Sequence, residues 1–150
     1  MLGDDLAARL PSINALSPEA GYFDVVVHGA RAFERKVNGV WQKIPFPEVR
    51  QAMYDAGYKD GQPVRLVACN SGKGGLKSLA ARFSRTALGG AEVKAPDKFI
   101  WVFANGRHAI SGGMPRPAVV NAAGGILAPA GRSPKPMPSG VWVRHGGGQP

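Results

Sequence analysis

Two short runs of apolar, β-branched residues constrain the fold of this 150-residue chain more than any other feature. Residues 22–27 read YFDVVV, and residues 64–68 read VRLVA. Runs of this kind are typical of strands that are buried on both faces, as in a parallel sheet. A helical pattern lies between the two runs and another follows the second. The order strand, helix, strand, helix, strand therefore predicts a mostly parallel sheet with right-handed crossovers.

Turn residues delimit the other elements. The pair Asn38-Gly39 favours the two-residue turn of a β-hairpin, which predicts a hairpin excursion over residues 33–44, after the first strand. A helix is expected to begin at Pro47 and to end at Gly57. A second helix is expected after the glycine-rich turn at residues 72–75, where apolar residues repeat at helical spacing.

Two further strands are expected towards the C-terminus. Residues 91–95 predict a third strand, and residues 99–104 (FIWVFA) predict a fourth, which turns at Asn105-Gly106 into a return strand. Since FIWVFA has the composition of a buried strand, Trp101 and Phe103 are expected to lie in the core.

The chain is long enough for one domain with a sizeable core. We expect an α/β catalytic domain at residues 1–112, with its core at residues 21–112. Residues 113–150 are rich in Gly, Pro and Ala, and we expect them to form an irregular or partly disordered extension.

Cysteine and histidine usage limits the possible chemistry. The single cysteine excludes an internal disulfide framework and a cysteine-cluster metal site. The three histidines, His28, His108 and His145, are far apart, and none has the spacing of metal ligands. We therefore predict neither a metal nor another cofactor. No apolar run approaches the roughly 18 residues of a membrane-spanning helix, and no leader resembles a signal peptide.

The formal net charge of +9 is compatible with a nucleic acid, an anionic membrane surface or an acidic protein as partner. The basic residues are spread through the chain, without a run of five or more. This distribution favours a solvated basic surface slightly over a nucleic-acid groove.

One histidine and the cysteine follow the two buried runs. His28 comes directly after the first run, and Cys69 comes directly after the second. In an open parallel sheet, catalytic groups gather at the carboxyl ends of the strands, so residues that follow adjacent strands lie side by side. A nucleophile beside a proton-transfer group is the minimum for covalent acyl transfer. Either residue alone is more often structural; the coincidence of the two predicts a catalytic pair.

The segment after Cys69 reads NSGKGG and leads into the second helix. Backbone N–H groups at such a turn are expected to point outwards. Together with the positive end of the helix, they would lower the pKa of the thiol from about 8.5. The same groups and the N–H of Gly29 could bind a developing oxyanion. Gly29, which has no Cβ, would also allow a substrate backbone to approach closely.

These motifs resemble those of a known clan of cysteine peptidases. Strand-His-Gly followed by strand-Ala-Cys resembles the clan of caspases, gingipains, separase and the autoprocessing domains of large bacterial toxins. The stretches GQPVRLVACNSG and EVKAPDKFIWVFANG, with a helix between them, resemble the C-terminal toxin modules of bacterial polymorphic toxins with Rhs-type repeats. The similarity covers roughly residues 21–112.

The resemblance implies a three-layer α/β/α sandwich around the sheet and cleavage of a peptide bond. Cys69 would be the nucleophile, and His28 would be the general acid/base that protonates the leaving amine. The backbone of Gly29 and Cys69 would form the oxyanion hole. Asn70, next to the nucleophile, is a candidate for orienting the substrate. Asp97 is the candidate acid of the pocket for the residue before the cut, since clan members that cut after Lys or Arg line that pocket with an acid.

The resemblance also implies partners and a location. The partners would be a protein substrate and a cognate immunity protein. The module would be secreted or delivered by a secretion system, and it would act in the cytoplasm of a target cell. The sequence shows no certain third catalytic residue; Asp24 is the acidic residue nearest to His28 in sequence.

Two other classes of function remain open from the sequence. In a basic nuclease or nucleic-acid-binding toxin module, Cys69 would be structural, and His28 or His108 would perform the chemistry. The residues that would face a phosphate backbone are Lys73, Lys77, Arg82 and Arg85. In a binding module, the cysteine and the histidine would be relics. His145 follows a short apolar piece, and it is the alternative to His28 as the catalytic histidine.

Overall fold

The computed structural model describes residues 14–102, 105, 107–112, 119–120, 126–127 and 140–147. Within these ranges the strands are β1 (Phe23–Val26), β2 (His28–Gly29), β3 (Phe33–Val37), β4 (Val40–Ile44), β5 (Val64–Val67), β6 (Val93–Pro96), β7 (Phe99–Val102), β8 (His108–Ser111), β9 (Val119–Val120), β10 (Ile126–Leu127) and β11 (Trp142–His145). The helices are α1 (Phe46–Asp55) and α2 (Leu79–Ala87), and a 3-10 turn at Gly75–Lys77 precedes α2.

The central sheet has four strands in the order β1-β5-β6-β11. The strands β1, β5 and β6 run parallel to one another, and β11 runs antiparallel to β6. The protein is thus a mixed α/β fold with a mostly parallel sheet, as the strand and helix patterns predict. Its three parallel strands lie within residues 22–27, 64–68 and 91–96, where the sequence predicts the first, second and third strands of the sheet.

The predicted hairpin excursion is confirmed. Strands β3 and β4 pair over their full lengths. Asn38 and Gly39, at the turn, have φ angles of 52° and 78°. Both residues of a type I′ turn need positive φ, which is the reason that Asn-Gly is favoured there. Strand β2 pairs with β3, so the excursion forms a three-stranded sheet directly after β1.

The two described helices pack against one face of the central sheet. Val49 and Met53 of α1 join Val25 and Leu66 of the sheet in one buried cluster. The same cluster includes Leu79, Ala80, Phe83 and Ala87 of α2. Each fully buried large apolar side chain contributes roughly 1.5–3 kcal/mol relative to exposure, so this face is the main source of hydrophobic stabilisation.

Three aromatic rings fill the space between the helices and the hairpin excursion. The rings of Phe33 and Phe83 have centroids 4.9 Å apart, and the ring of Phe46 lies 5.2 Å from that of Phe83. Phe33 and Phe83 are fully buried. This contact anchors the excursion, and with it β2, to the helical layer.

The opposite face of the sheet carries charged residues at matching positions of three strands. Asp24, Arg65 and Lys94 are register partners across β1, β5 and β6. Arg65 is only 3% exposed, and its guanidinium makes two hydrogen bonds to the Asp24 carboxylate, at 2.6 and 2.7 Å. The ammonium of Lys94 donates to both carboxylate oxygens of Glu19, at 2.6 and 2.8 Å.

The segment expected to be the fourth strand of the sheet is not part of it. Strand β7 pairs with β8 in a separate antiparallel hairpin, and Phe99 at its start is 41% exposed. Trp101 is half-buried rather than a core residue, while Phe103 lies outside the described residues. The position beside β6, which the next strand along the chain would take, is occupied by β11 instead.

Strand β11 lies in the extension that was expected to be irregular. Residues Trp142–His145 instead pair one by one with β6 and form the fourth strand of the sheet. Strands β9 and β10 of the same extension pair with each other. The described part of the extension therefore contributes a strand to the domain, so the sheet does not end at residue 112.

Candidate active site at the carboxyl edge of the sheet

The carboxyl ends of β1 and β5 lie next to each other in register. Val26 and Val67 are register partners, and the N–H of Val27 donates to the carbonyl oxygen of Val67 at 3.2 Å. His28 is the second residue after Val26, and Cys69 is the second residue after Val67. The structure thus brings the two predicted catalytic residues to equivalent positions beyond neighbouring strands.

His28 lies between the central sheet and the hairpin excursion. It begins β2, where its register partner is Glu34, and it is half-buried. The indole of Trp41, on β4, lies against the imidazole with ring centroids 5.1 Å apart and an angle of 86° between the rings. Trp41 is itself 48% exposed. The excursion therefore forms one wall beside His28.

Gly29 is required by the packing of the chain itself. A Cβ at this position would lie 2.5 Å from the carbonyl oxygen of Ala32 and 3.1 Å from Cδ2 of Leu79. Both distances are shorter than ordinary van der Waals contact, so a larger residue would displace the turn or the first residue of α2. The close packing alone explains why a glycine is present at this position, with no need for a substrate nearby. The role of its N–H as an oxyanion donor stays a prediction.

Cys69 begins the turn that follows β5. The thiol is half-buried, and its Sγ atom lies 3.9 Å from the carbonyl oxygen of Ile100 on β7. Asn70 has a φ of 57°, in the left-handed region, and its N–H donates to the carbonyl oxygen of Lys98 at 2.8 Å. The turn thus lies between the central sheet and the β7–β8 hairpin.

The N–H groups after Cys69 do not point outwards as the sequence predicts. Those of Ser71, Gly72 and Lys73 donate to the carbonyl oxygens of Ala68, Pro96 and Asn70, respectively. Backbone donors near a strand end are rarely left without acceptors, and here nearby carbonyls supply them. These three donors are therefore occupied within the fold, and the N–H groups of Gly29 and Cys69 stay the predicted donors of an oxyanion hole.

Contrary to the sequence prediction, the second helix also does not begin directly after the glycine-rich turn. Helix α2 begins at Leu79, after the intervening 3-10 turn. The N–H of Ala81 is capped by the hydroxyl of Ser78, and the N–H of Ala80 donates to the carbonyl oxygen of Ser71. These two first-turn donors are therefore occupied within the fold and are not available to the thiol.

Asn70 and Asp97, the two predicted substrate-binding residues, line one cavity of about 640 Å³. The carboxylate of Asp97 accepts a hydrogen bond from the N–H of Val141 at 2.8 Å, which is the role of a turn aspartate. The remaining lining residues are Ala30, Arg31, Lys73, Lys98, Phe99 and Gly112. Three cationic residues and one carboxylate thus line the same cavity, and a basic substrate side chain would meet net repulsion.

The cationic lining is a feature that sequence reasoning missed. Arg31, Lys73 and Lys98 are far apart along the chain, and no local pattern relates them. Their grouping results from the loops that follow β2, β5 and β6. Only a correct topology, with three neighbouring loops at one edge, could have indicated it.

The other two histidines have structural partners. The Nε2 atom of His108 accepts a hydrogen bond from the indole N–H of Trp142 at 3.1 Å. Burial, followed by the nearby charges of Arg65 and Lys94, lowers the pKa of His108 below its usual 6.5. The Nε2 atom of His145 lies 3.3 Å from both the Gly72 carbonyl oxygen and the Ser78 hydroxyl. His28 stays the predicted partner of Cys69 because of its position after β1, next to β5.

Asp24 is engaged elsewhere and does not serve His28. Both of its carboxylate oxygens accept from the guanidinium of Arg65 on the charged face of the sheet. The structure thus assigns Asp24 to an ion pair rather than to a catalytic triad.

Metal and membrane sites were also sought in the part of the chain that the structure describes. It contains no group of three or more His, Cys, Asp or Glu residues that could hold a metal ion. None of its helices combines the length and the apolar character needed to cross a lipid bilayer.

A family model described as a domain of unknown function (DUF8616) matches residues 4–110. The chain belongs to this family. No curated protein and no solved structure matches the chain. The matched residues include both candidate catalytic positions and end before β11, so the strand that completes the sheet lies outside them.

Proposed function

We propose that this domain is a cysteine peptidase in which Cys69 is the nucleophile and His28 is the general acid/base. The observation that carries the proposal is the register of β1 and β5, which puts both residues at equivalent positions beyond adjacent parallel strands. The carboxyl edge of a parallel sheet is the usual location of catalytic groups. A thiol beside an imidazole is sufficient for acyl transfer without a cofactor.

The reaction would follow covalent acyl transfer. The Cys69 thiolate attacks the carbonyl carbon of the scissile bond, and the carbonyl electrons move onto the oxygen. As the C–N bond breaks, the His28 imidazolium gives its proton to the leaving amine. Water, deprotonated by the neutral imidazole, then hydrolyses the thioester and regenerates the thiol. The N–H groups of Gly29 and Cys69 would stabilise the oxyanion.

The cavity beside the turn would receive the substrate. Asn70 lies at its edge next to the nucleophile and would orient the substrate backbone. Arg31, Lys73 and Lys98 favour a neutral or acidic substrate side chain over a basic one, because opposite charges attract at short range. Asp97 would then act mainly as the turn residue that binds Val141, rather than as the acid of a pocket for Lys or Arg.

The wider proposal follows the sequence resemblance to polymorphic toxin modules. The sheet would be the middle layer of a three-layer α/β/α sandwich. The domain would be an antibacterial effector that is secreted or delivered into the cytoplasm of a target cell. Its partners would be a protein substrate and a cognate immunity protein. The net charge of +9 is compatible with an acidic immunity protein.

A nuclease or nucleic-acid-binding module is the second candidate, and the cationic cavity is the observation that favours it. A phosphate backbone would be attracted by Arg31, Lys73 and Lys98. The basic residues of α2 support it less. The guanidiniums of Arg82 and Arg85 donate to backbone carbonyl oxygens near the 3-10 turn, which restricts their reach.

Expression in bacterial cytoplasm separates the two candidates. We expect the native chain to arrest growth and to generate new protein N-termini, which mass spectrometry of labelled N-termini would detect. Cys69→Ala and His28→Ala should each abolish both effects. Gln42→Ala, at an exposed position of β4, is the matched control and should behave like the native chain. Circular dichroism of each purified variant checks that it folds.

The opposite pattern would contradict the peptidase. If Cys69→Ala still arrests growth and host nucleic acid is degraded, Cys69 is structural, and the nuclease proposal replaces the peptidase proposal. If the native chain produces no new N-termini and leaves nucleic acid intact, neither catalytic proposal holds.

A further inference from the structure

The turn that begins at Cys69 is held against β6 and the segment after it. We call residues 69–72 the nucleophile turn. Its N–H groups at Asn70 and Gly72 donate to the carbonyl oxygens of Lys98 and Pro96, at 2.8 and 2.9 Å. A Cβ on Gly72 would lie 2.6 Å from the carbonyl oxygen of Ala95, so the turn is in direct contact with the backbone of β6. The position of Cys69 therefore depends on what stabilises that contact.

Strand β11 is fixed beside the same stretch of β6. Before the strand, Val141 makes two hydrogen bonds with Asp97: its N–H donates to the carboxylate at 2.8 Å, and its carbonyl oxygen accepts from the Asp97 N–H at 3.1 Å. After the strand, the N–H of Gly147 donates to the carbonyl oxygen of Gly90 at 2.7 Å. Both ends of β11 are thus attached to the domain that carries the site.

His145, the last residue of β11, connects this strand to the nucleophile turn. Its Nε2 atom lies 3.3 Å from the carbonyl oxygen of Gly72 and 3.3 Å from the hydroxyl of Ser78. Ser78 is the N-cap residue of α2, where its hydroxyl accepts from the N–H of Ala81. One imidazole therefore contacts both the end of the nucleophile turn and the start of the helix that follows it.

We propose that His145 is a positioning residue, which holds the nucleophile turn so that the Cys69 thiol stays beside His28. The effect of His145 on catalysis rests on the proposed peptidase function. Its effect on the position of the nucleophile turn does not. With Nε2 protonated, the imidazole donates to the Gly72 carbonyl oxygen. Loss of this contact frees the end of the turn and raises the exposure of the half-buried thiol.

The rate at which iodoacetamide alkylates the single cysteine reports how firmly the nucleophile turn holds the thiol. The measurement needs no substrate. At about pH 9.5, above the ordinary thiol pKa, we expect His145→Phe to accelerate alkylation roughly fivefold, the factor that corresponds to one lost hydrogen bond. The phenyl ring keeps the shape of the imidazole but has no donor. Peptidase activity should fall at the same time, because the thiol is no longer held in place.

Two further variants make the test specific. His145→Gln has an amide N–H₂ that can reach the same acceptors, and we expect it to restore slow alkylation and activity. Arg144→Ala changes the neighbouring residue of β11, whose side chain is 66% exposed, and should alter neither quantity. Hydrogen exchange of the Asn70 and Gly72 amides should accelerate in His145→Phe and be restored in His145→Gln.

Unchanged alkylation and unchanged amide exchange in a folded His145→Phe variant would overturn the proposal, whatever the function of the domain. If His145→Phe does not fold, nuclear magnetic resonance of the native chain decides. An Nε2–H signal protected from solvent exchange is the expected result, and a rapidly exchanging one contradicts it. If the native chain has no peptidase activity but the alkylation rates are as expected, the peptidase proposal is refuted and the positioning role of His145 stands.

Discussion

The two faces of the central sheet differ in what holds their covering layers in place. On one face, Val25 and Leu66 pack against the helices within a single apolar cluster. On the other face, Arg65 is almost as deeply buried but is neutralised by Asp24, its partner across the strands. Apolar contact is non-directional, whereas the ion pair requires a defined register. The comparison separates the contacts that stabilise the fold from the contacts that fix the alignment of its strands.

The energetic contributions of the two faces should differ accordingly. Burial of apolar side chains is favourable because it removes apolar surface from water. Burial of a charge carries a desolvation cost that a paired charge only offsets, so replacement of both partners by apolar residues is often neutral. We therefore expect the helical face to supply most of the free energy of unfolding, and the charged face to select the alignment of β1 with β5.

The largest effect is expected on the helical face. Phe83 is fully buried and contacts both Phe33 and Phe46. Phe83→Ala should lower the free energy of unfolding by about 3–5 kcal/mol, through lost burial and the cavity left behind. Urea denaturation measures the change, and Phe83→Leu serves as a milder variant if Phe83→Ala does not fold. A loss below about 1 kcal/mol in Phe83→Ala would show that this face is not the main stabilising layer.

A smaller loss is expected when the charged face loses one partner. Arg65→Met leaves the Asp24 carboxylate without its guanidinium and should cost about 2–3 kcal/mol. This figure lies below that of a fully buried pair, because the Asp24 side chain keeps 26% exposure. The double variant Asp24→Leu with Arg65→Met should recover most of the loss. Equal losses in the single and double variants would mean that the pair adds net stability as well as register.

Local signals explain which parts of the fold could be predicted. Residues 22–27 and 64–68 are recognisable as strands from composition alone, and Asn38-Gly39 defines its hairpin through local backbone geometry. Because β1 and β5 are neighbours, the placement of His28 and Cys69 just beyond adjacent strands also follows from the order of the elements. These features depend on contacts that are close in sequence or on a general topological rule.

Long-range pairing explains what the sequence did not reveal. Strand β11 has only four residues, within a Gly-rich stretch, and β6 alone gives it a partner. The occupied N–H groups of the nucleophile turn depend on carbonyls of Pro96 and Lys98, which belong to a different segment. A local pattern contains no information about either partner. The predictions of outward-pointing donors and of an irregular tail were therefore both wrong.

The smallest expected effect is a pH dependence of the charged face through His108. Burial and the nearby Arg65 and Lys94 lower the pKa of His108, so the folded state favours the neutral ring. The unfolded chain takes up this proton first as the pH falls below about 6.5. The stability that the neutral ring contributes is therefore complete above pH 6.5, and it is lost as the pH falls through the folded pKa. Urea denaturation between pH 8 and pH 5 measures this loss.

His108→Gln isolates that contribution, because its amide oxygen can still accept from the Trp142 indole N–H. The two chains differ only at residue 108, so the difference between the two profiles reports His108 alone. We expect the native chain to lose more stability than His108→Gln between pH 7 and pH 5. Parallel profiles would mean that the ring gains its proton as easily in the folded chain as in the unfolded one. The charged face would then tolerate a further cation, and its paired charges would be screened by water much as surface pairs are.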